Sequence, residues 1–498
     1  MKKILTLIFA VILPFAAPAQ TVRLEQRGEV SQLILGDSPF IILGGELANS
    51  TASSAAYMDG RGIWDTLAQA GLNTVLCPVY WDIIEPREGE FDFSSVDYLL
   101  ESARSRGLHL VLLWFGSWKN SMSCYVPEWM KKDFGKRFTL AEDEDGTPQE
   151  ILSAFDRENW KADSRAFAAL CAHLKEKDSA TGTVLMLQVE NEIGMLPCPR
   201  DHSKWAEKAW KKSGYSDDIQ DQEKFQAKGF ARYAENVARA GKAQYDIPMF
   251  VNTALNSRGR KPGEYPSGGP LDHLKTIWKE WCPHIDLLCP DIYDPGFADW
   301  TARYSAPDNQ LFIPEIRPDA ANGARALYAF GRHSAIGFSQ FDIDNNPGQT
   351  AQAYALLRPY LSLLASSQAA GGVRGALVGP DAEEDETLAA GVRFRCHIDG
   401  KLSWSPKHSS PREWGEGAVL IIQTAEDEFL LLGTNAYVTM EDEAGSARIG
   451  ILGATEMAPD GKTELRRLSG DETHQGRHIR FPYGTFGAQK VKIYRYAD

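Results

Sequence analysis

Residues 184–192 read VLMLQVENE, a short apolar run that ends in three polar residues. Seven further apolar or β-branched runs of similar length are spaced along the chain, as expected for buried β-strands. The eight runs are Phe40–Leu43, Thr74–Tyr80, Leu108–Phe115, Val184–Val189, Met249–Thr253, Ile285–Ile292, Leu311–Ile316 and Ile336–Phe341. The pattern predicts eight strands in succession.

Segments with helical spacing separate these runs, such as 96–105 and 165–175, and they end near Gly or Pro. Strand and helix alternating eight times predict an α/β fold, the (β/α)8 TIM barrel. A doubly wound open sheet is the alternative, and it requires a Gly-rich phosphate loop after the first strand. Gly44-Gly45-Glu46 does not match the G-x-G-x-x-G spacing of that loop, which favours the barrel.

The texture changes beyond about residue 370 to short strands separated by turns, without helical patterns between them. The sequence therefore predicts a (β/α)8 barrel over residues 20–367 and a C-terminal all-β, sandwich-like accessory domain over residues 368–498. We expect this second domain to serve mainly stability.

The N-terminus has the features of a secretory signal peptide, predicted to span residues 1–19. Lys2 and Lys3 precede an apolar run, and Ala17-Pro18-Ala19 fits a small-x-small cleavage site. We therefore expect a secreted or periplasmic protein, and no later run is long enough to span a membrane. A net charge of −14 makes nucleic acid a poor candidate partner.

Two of the predicted strands end in carboxylates, Glu192 on the fourth and Glu315 on the seventh. Active sites of such barrels lie at the carboxyl ends of the strands. Retaining glycoside hydrolysis needs two carboxyl groups about 5–5.5 Å apart, one acting as proton donor and one as nucleophile. A lone acid at a strand end usually caps a helix or pairs with a basic residue, but this pair predicts a retaining β-glycosidase.

Period-two alternation places Leu311, Ile313 and Glu315 on one face of the seventh strand, so Glu315 lies at the rim. On the fourth strand the same alternation would separate Asn191 from Glu192. We therefore predict a bulge or an early strand end there, which would let Asn191 bind a sugar 2-hydroxyl. Glu190 is then expected to point to the core side.

Several segments resemble glycoside hydrolase family 35, whose members are retaining clan A enzymes and largely β-galactosidases. They are Gly44–Leu47, Trp81–Gly89 with Phe91–Phe93, Gln188–Gly194 and Pro290–Tyr293, and the C-terminal part resembles the β-rich domain of a bacterial branch. The resemblance implies that Glu192 is the acid/base and Glu315 the nucleophile. It further implies that Tyr293 hydrogen-bonds the nucleophile and that Glu46 contacts galactose hydroxyls. The segment after Gly44-Gly45 and the residue after Glu315 depart from the family pattern, which leaves the sugar less certain than the reaction.

Trp81, Trp114 and Trp118 are predicted to bury Glu192 and to stack on sugar rings, with rim packing as the alternative. The proposed reaction needs no metal and no organic cofactor. The expected partner is a carbohydrate with terminal β-galactosides, such as a galactose-decorated plant polysaccharide. The rival functions are a β-glucosidase, a β-mannosidase, an endoglucanase or a non-catalytic carbohydrate-binding barrel.

Overall fold

Parallel strands alternate with helices from Ile42 to Ala369 in the computed structural model, which describes residues 21–256, 259–399 and 415–497. The strands of this part are β1 (Val22–Arg27), β2 (Val30–Leu35), β3 (Ser38–Pro39), β4 (Ile42–Glu46), β5 (Thr74–Tyr80), β6 (His109–Phe115), β7 (Leu140–Glu142), β8 (Pro148–Leu152), β9 (Val184–Gln188), β10 (Met249–Ala254), β11 (Leu287–Ile292), β12 (Phe312–Ile313), β13 (Glu315–Ile316) and β14 (Gly337–Gln340). The helices are α1 (Ala55–Gly60), α2 (Ile63–Gln69), α3 (Trp81–Ile84), α4 (Ser94–Arg104), α5 (Glu128–Lys131), α6 (Arg157–Asp178), α7 (Lys204–Trp210), α8 (Ile219–Gln244), α9 (Lys275–Trp281), α10 (Phe297–Tyr304), α11 (Asn322–Arg332), α12 (Gly348–Leu357) and α13 (Leu361–Ala369). The predicted signal segment, residues 1–19, lies outside the described residues.

The parallel sheet closes on itself through one interrupted strand. Its order is β12-β14-β4-β5-β6-β9-β10-β11-β13, and only Pro314 separates β12 from β13. Proline has no N–H to donate, which accounts for the interruption. Because β12 pairs with β14 and β13 pairs with β11, the ring is complete and the predicted (β/α)8 barrel is confirmed.

The strands and helices form for the reasons that the sequence pattern indicates. All seven residues of β5 are buried, as expected for a strand covered by side chains on both faces. In α4 the buried residues Val96, Leu99, Leu100 and Ala103 recur at helical spacing and form one face directed at the barrel. None of the helices within the described ranges is long and apolar enough to cross a bilayer.

The first barrel strand extends further than the run 40–43 predicted, because β4 includes Gly44, Gly45 and Glu46. A Cβ atom on Gly44 would lie 2.3 Å from Ser339 Oγ, and one on Gly45 would lie 2.6 Å from the Ile343 side chain. Glycine is thus needed for close packing against β14 and the loop that follows it. This packing carries Glu46 to the end of the strand.

The C-terminal domain is an antiparallel sheet that folds over itself, and the all-β prediction is confirmed. Its strands are β15 (Val373–Val378), β16 (Glu384–Ala389), β17 (Val392–Ile398), β18 (Gly417–Ala425), β19 (Glu428–Asp442), β20 (Arg448–Met457), β21 (Glu464–Leu468) and β22 (His478–Tyr496). The first half of β19 pairs with β18 and the second half with β17, and between them Asn435 has a φ of 48°. Phe394, Ile421, Leu431 and Phe481 belong to the separate core inside this domain.

The two parts share a packed interface along α11. A Cβ atom on Gly331 of this helix would lie 2.7 Å from the carbonyl oxygen of Arg374, so the helix lies directly against β15. Leu420 and Leu432 of the C-terminal sheet belong to the same buried cluster as the barrel core. The C-terminal sheet therefore completes the barrel's hydrophobic core along this side.

Candidate active site

A cavity of about 360 Å³ lies at the carboxyl ends of the barrel strands. It is lined by Asn49, Lys119, Asn120, Glu192, Ala254, Leu255, Asp291, Tyr293, Asp294, Glu315 and Phe341. These residues come from most of the barrel strands, so only the closed ring assembles them. Both predicted acids, Glu192 and Glu315, line this one cavity.

Glu192 reaches the cavity because the backbone leaves strand geometry before it. β9 ends at Gln188, as the predicted early strand end requires, and both Glu190 and Glu192 have positive φ angles, 62° and 48°. Such conformations cost about 1–3 kcal/mol each in non-glycine residues and persist only where contacts impose them. Here the Glu192 N–H donates to Asn252 Oδ1 at 3.0 Å, and its carbonyl accepts from Ser121 Oγ at 2.5 Å.

The Glu192 carboxyl group is prepared to hold a proton near neutral pH. It is only 5% exposed, and Asn120 Nδ2 donates to its Oε2. Burial and then the nearby charge of Glu315 raise the pKa of Glu192 to about 7, against the opposing influence of Lys119 and Asn120. Desolvation and like charge both disfavour ionisation, so this group suits a general acid that later becomes a base.

Glu315 lies in β13, next to Asp291 of β11 in the parallel register. The Tyr293 hydroxyl donates to Glu315 Oε1, and the buried Glu46 carboxyl is also in hydrogen-bond contact with Glu315. Burial and then Glu315 raise the pKa of Tyr293, which keeps the phenol a donor. The Tyr293 hydroxyl thus fixes the orientation of the Glu315 carboxyl group, as a nucleophilic carboxylate requires.

Two further acids, Glu46 and Asp291, lie beside this pair. Burial and then the charge of Glu315 raise the pKa of both well above the ordinary carboxyl range. Asn252 Nδ2 donates to Asp291 Oδ2 at 2.6 Å, and the Glu46 carboxyl is in hydrogen-bond contact with Glu315. Glu46 is only 1% exposed and lies behind the cavity lining, so the structure places it against Glu315.

Asn191 and Glu190 hydrogen-bond different residues of the loop after β6. Asn191 Oδ1 accepts from Lys119 Nζ at 2.8 Å, and its Nδ2 is buried without a partner within the described ranges. Glu190 Oε2 accepts from the Trp118 N–H at 3.0 Å, away from the cavity. Glu190 is fully buried and does not line the cavity, so its predicted orientation toward the core is confirmed. Burial and then Asp163 raise the pKa of Glu190 well above the ordinary range.

The three predicted tryptophans are core residues and do not line the cavity. Trp81 Nε1 donates to Glu85 at 2.7 Å, and Trp114 Nε1 donates to Asp163 at 2.9 Å. Trp118 packs edge-on against Tyr233, with ring centroids 4.6 Å apart. All three are at most 1% exposed, so their expected stacking on sugar has no support in this geometry and the packing alternative accounts for them.

Sequence reasoning missed Lys119, Asn120 and Asn252, which hold the acid pair in place. Asn120 and Ser121 have φ angles of 55° and 56° in the loop after β6, a conformation that asparagine tolerates better than most residues. The available signal was only that this loop follows a barrel strand, which does not single out any one of its residues. Within 21–256, 259–399 and 415–497, no group of three or more His, Cys, Asp or Glu side chains is placed to hold a metal ion.

Two family models match the chain. The glycoside hydrolase family 42 model, described as β-galactosidase, matches residues 61–231, a range that includes Glu192 and ends before Glu315. The Domain of unknown function (DUF5597) model matches residues 350–480. The β-galactosidase model that matches is that of family 42 and not of family 35, so the narrower resemblance to family 35 is not shown. It supports a glycosidase enzyme acting on carbohydrate.

Solved structures align with this chain at low sequence identity. The catalytic domain of β-amylase from Paenibacillus polymyxa aligns with a TM-score of 0.50 and 12% identity, over 66% of this chain and 99% of that one. The β-galactosidase from Bacillus circulans sp. alkalophilus aligns with a TM-score of 0.48 and 15% identity, over 65% of this chain and 57% of that one. This chain thus spans little more than half of that galactosidase. At 12% identity the likeness to the β-amylase domain concerns the fold alone.

Proposed function

We propose that this protein is a retaining, exo-acting β-galactosidase in which Glu315 is the nucleophile and Glu192 the acid/base. The observation that carries the proposal is that both acids line one cavity and that the surroundings of the two carboxyl groups differ. Glu192 has a pKa raised to about 7, and Glu315 has one oxygen fixed by the Tyr293 hydroxyl. Two carboxyl groups in these two roles are what double displacement requires.

In the first half-reaction Glu315 attacks the anomeric carbon as a carboxylate while the glycosidic bond breaks. Glu192 gives its proton to the departing oxygen, so the leaving group departs as a neutral alcohol and the sugar becomes an ester of Glu315. Tyr293 holds the attacking carboxylate in line.

In the second half-reaction the same acid acts as a base. Esterification removes the negative charge of Glu315, one of the causes that raise the pKa of Glu192, so that pKa falls. Glu192 then takes a proton from the incoming water, whose oxygen attacks the anomeric carbon and releases Glu315. Two inversions give net retention.

The galactoside specificity rests on the β-galactosidase model that matches residues 61–231. A panel of nitrophenyl β-glycosides tests it, with the β-galactoside expected to be the best substrate. Preference for the glucoside, the mannoside or an internal bond of a polymer would replace galactose with one of those rivals. Binding without turnover of every member would indicate a non-catalytic barrel.

Two variants test the roles of the acids. Glu315→Gly should abolish hydrolysis but permit glycoside synthesis from an α-galactosyl fluoride, since the fluoride replaces the missing ester. Glu192→Ala should slow glycosides with poor leaving groups far more than activated aryl glycosides. Equal slowing of both substrate classes would remove Glu192 from its acid role.

Secretion also stays a proposal, and it rests on residues 1–19 alone. Expression of the full chain followed by N-terminal sequencing of the mature protein tests it. We expect the mature chain to begin at Gln20 outside the cytoplasm. An intact Met1 in the cytoplasmic fraction would contradict the expectation.

A further inference from the structure

A second and larger cavity, of about 550 Å³, opens on the flank of the barrel between α6 and α8. Trp160 lies in the first turn of α6, and Phe225 lies in the second turn of α8. Helices of a βα barrel run opposite to the strands they follow, so these helix starts lie at the carboxyl end of the strands. The flank cavity therefore opens at the same end of the barrel as the candidate active site.

Aromatic rings form the apolar part of the flank cavity. Phe155 and Phe225 stack with centroids 4.8 Å apart and an interplanar angle of 7°, and Trp160 and Tyr215 add partly exposed rings. A Cβ atom on Gly229 would lie 2.5 Å from Phe155, so a glycine is required for that ring to seat on α8. Flat aromatic faces of this kind pack against the CH faces of sugar rings.

Three cations lie among the polar residues that line the flank cavity: Lys212, Lys228 and Arg232. Within the described part of the chain, none of them has a carboxylate within 4.0 Å, although the whole protein carries a net charge of −14. Lys228 lies over the Trp281 ring at 4.0 Å, a contact that holds the ammonium group without neutralising it. The flank cavity is thus a local positive site on an acidic protein, suited to an anion.

The flank cavity is connected to the loop that holds the candidate acid. Tyr233 lines it, and the Tyr233 hydroxyl lies 2.7 Å from Ser117 Oγ and 3.0 Å from Asp163 Oδ2. Ser117 begins the segment that continues to Asn120, whose amide donates to Glu192. This loop therefore lines the candidate active site and hydrogen-bonds one residue of the flank cavity, Tyr233.

We propose that the flank cavity binds a uronate unit, a sugar carrying a carboxylate, of the polysaccharide on which the enzyme acts. The inference that this unit belongs to the substrate rests on the proposed function. The aromatic rings would receive the apolar face of the sugar, and Lys212, Lys228 and Arg232 would receive its carboxylate through charge-assisted hydrogen bonds. Neutral galactosides would bind here only weakly, since they leave the cations unpaired.

Isothermal titration of the full-length protein with trigalacturonate tests the site without reference to catalysis. We expect binding that weakens as NaCl is raised and that falls about tenfold or more in Arg232→Gln and in Lys228→Gln, since each removes a charged partner. The matched control is Lys224→Gln on the same helix, whose ammonium pairs with Asp221 at 3.2 Å outside the flank cavity. It should bind trigalacturonate like the unaltered protein.

Three outcomes would overturn the proposal. These are equal binding of neutral β-1,4-galactotriose, equal losses in the control variant, and complete displacement of trigalacturonate by an equal concentration of acetate. Hydrolysis of nitrophenyl β-galactoside is measured in parallel and should be unchanged in Arg232→Gln and Lys228→Gln. Uronate binding without galactosidase activity would reject the proposed function and keep the site, and the reverse result would reject only the site.

Discussion

Removing the Asn120 amide should move the pH range in which the enzyme works. Asn120 Nδ2 donates to Glu192 Oε2, and this contact stabilises the ionised form of the acid. Its loss in Asn120→Ala should therefore raise the pKa of Glu192 above its present value of about 7. Because the protonated acid then persists to higher pH, the alkaline limb of the activity profile should move upward.

The size of the shift follows from the hydrogen bond that is lost. A hydrogen bond to a charged group contributes about 1.5–3 kcal/mol, and one pKa unit corresponds to ~1.36 kcal/mol. Asn120 is half-buried, so water replaces part of the lost donor. We therefore expect a rise of about one unit, at the lower end of this range. Asn120→Asp should move the alkaline limb to a still higher pH, because it adds a negative charge beside Glu192.

The assay is the pH dependence of kcat/KM for an alkyl glycoside, because its alcohol leaving group needs a proton in order to depart. The matched control is Ser123→Ala in the same loop, since Ser123 Oγ donates to the Lys119 carbonyl at 3.0 Å and not to Glu192. That variant should leave the alkaline limb in place. An Asn120→Ala limb that stays near its original pH, or moves to lower pH, would refute the electrostatic reasoning.

Three other perturbations test the site, its surroundings and the domain interface. Tyr293→Phe removes the donor to the proposed nucleophile, and kcat/KM should fall about ten- to hundredfold for a loss of ~1.5–3 kcal/mol; an unchanged kcat/KM would deny the phenol a role. Glu190→Gln replaces an acid whose pKa is raised well above 4.5 by burial. The stability that such a group contributes is lost as the pH rises above its pKa in the unfolded chain. The free energy of unfolding in urea should therefore fall less for this variant than for the unaltered protein between about pH 5 and pH 8. Parallel pH dependences of the two free energies would contradict this. Gly331→Ala introduces a Cβ 2.7 Å from the Arg374 carbonyl and should cost about 1–3 kcal/mol of unfolding free energy, whereas Gly453→Ala meets no atom within 4 Å and serves as the control.

The barrel was predictable because its information is local. Buried parallel strands are continuous apolar runs, and run 74–80 coincides with β5. Prediction was less accurate where packing overrides composition. The first run stopped at Leu43 because glycine is a poor strand residue, whereas close contact with Ser339 and Ile343 extends β4 to Glu46.

The candidate acids were also predictable, since each directly follows a strand at the end where barrels keep their sites. Their supports were not. Nothing in the local pattern distinguishes Asn120 from other loop residues, and its contact with Glu192 depends on two positive φ angles and on the separate positions of two strands. Similarly, the sequence places Trp114 near the predicted sugar-binding site, whereas in the structure its indole donates to Asp163 in the core.

The sequence by itself determined the order of strands and helices, the change to an all-β domain, and the two acids at the ends of the fourth and seventh barrel strands. Periodicity and residue type are properties of short segments, so the chain states them directly. Only the tertiary structure decided which polar side chains share a cavity, which tryptophans are buried, and why Glu192 has a pKa raised to about 7. Those properties depend on desolvation and on charges from distant segments, and they do not exist until the barrel closes.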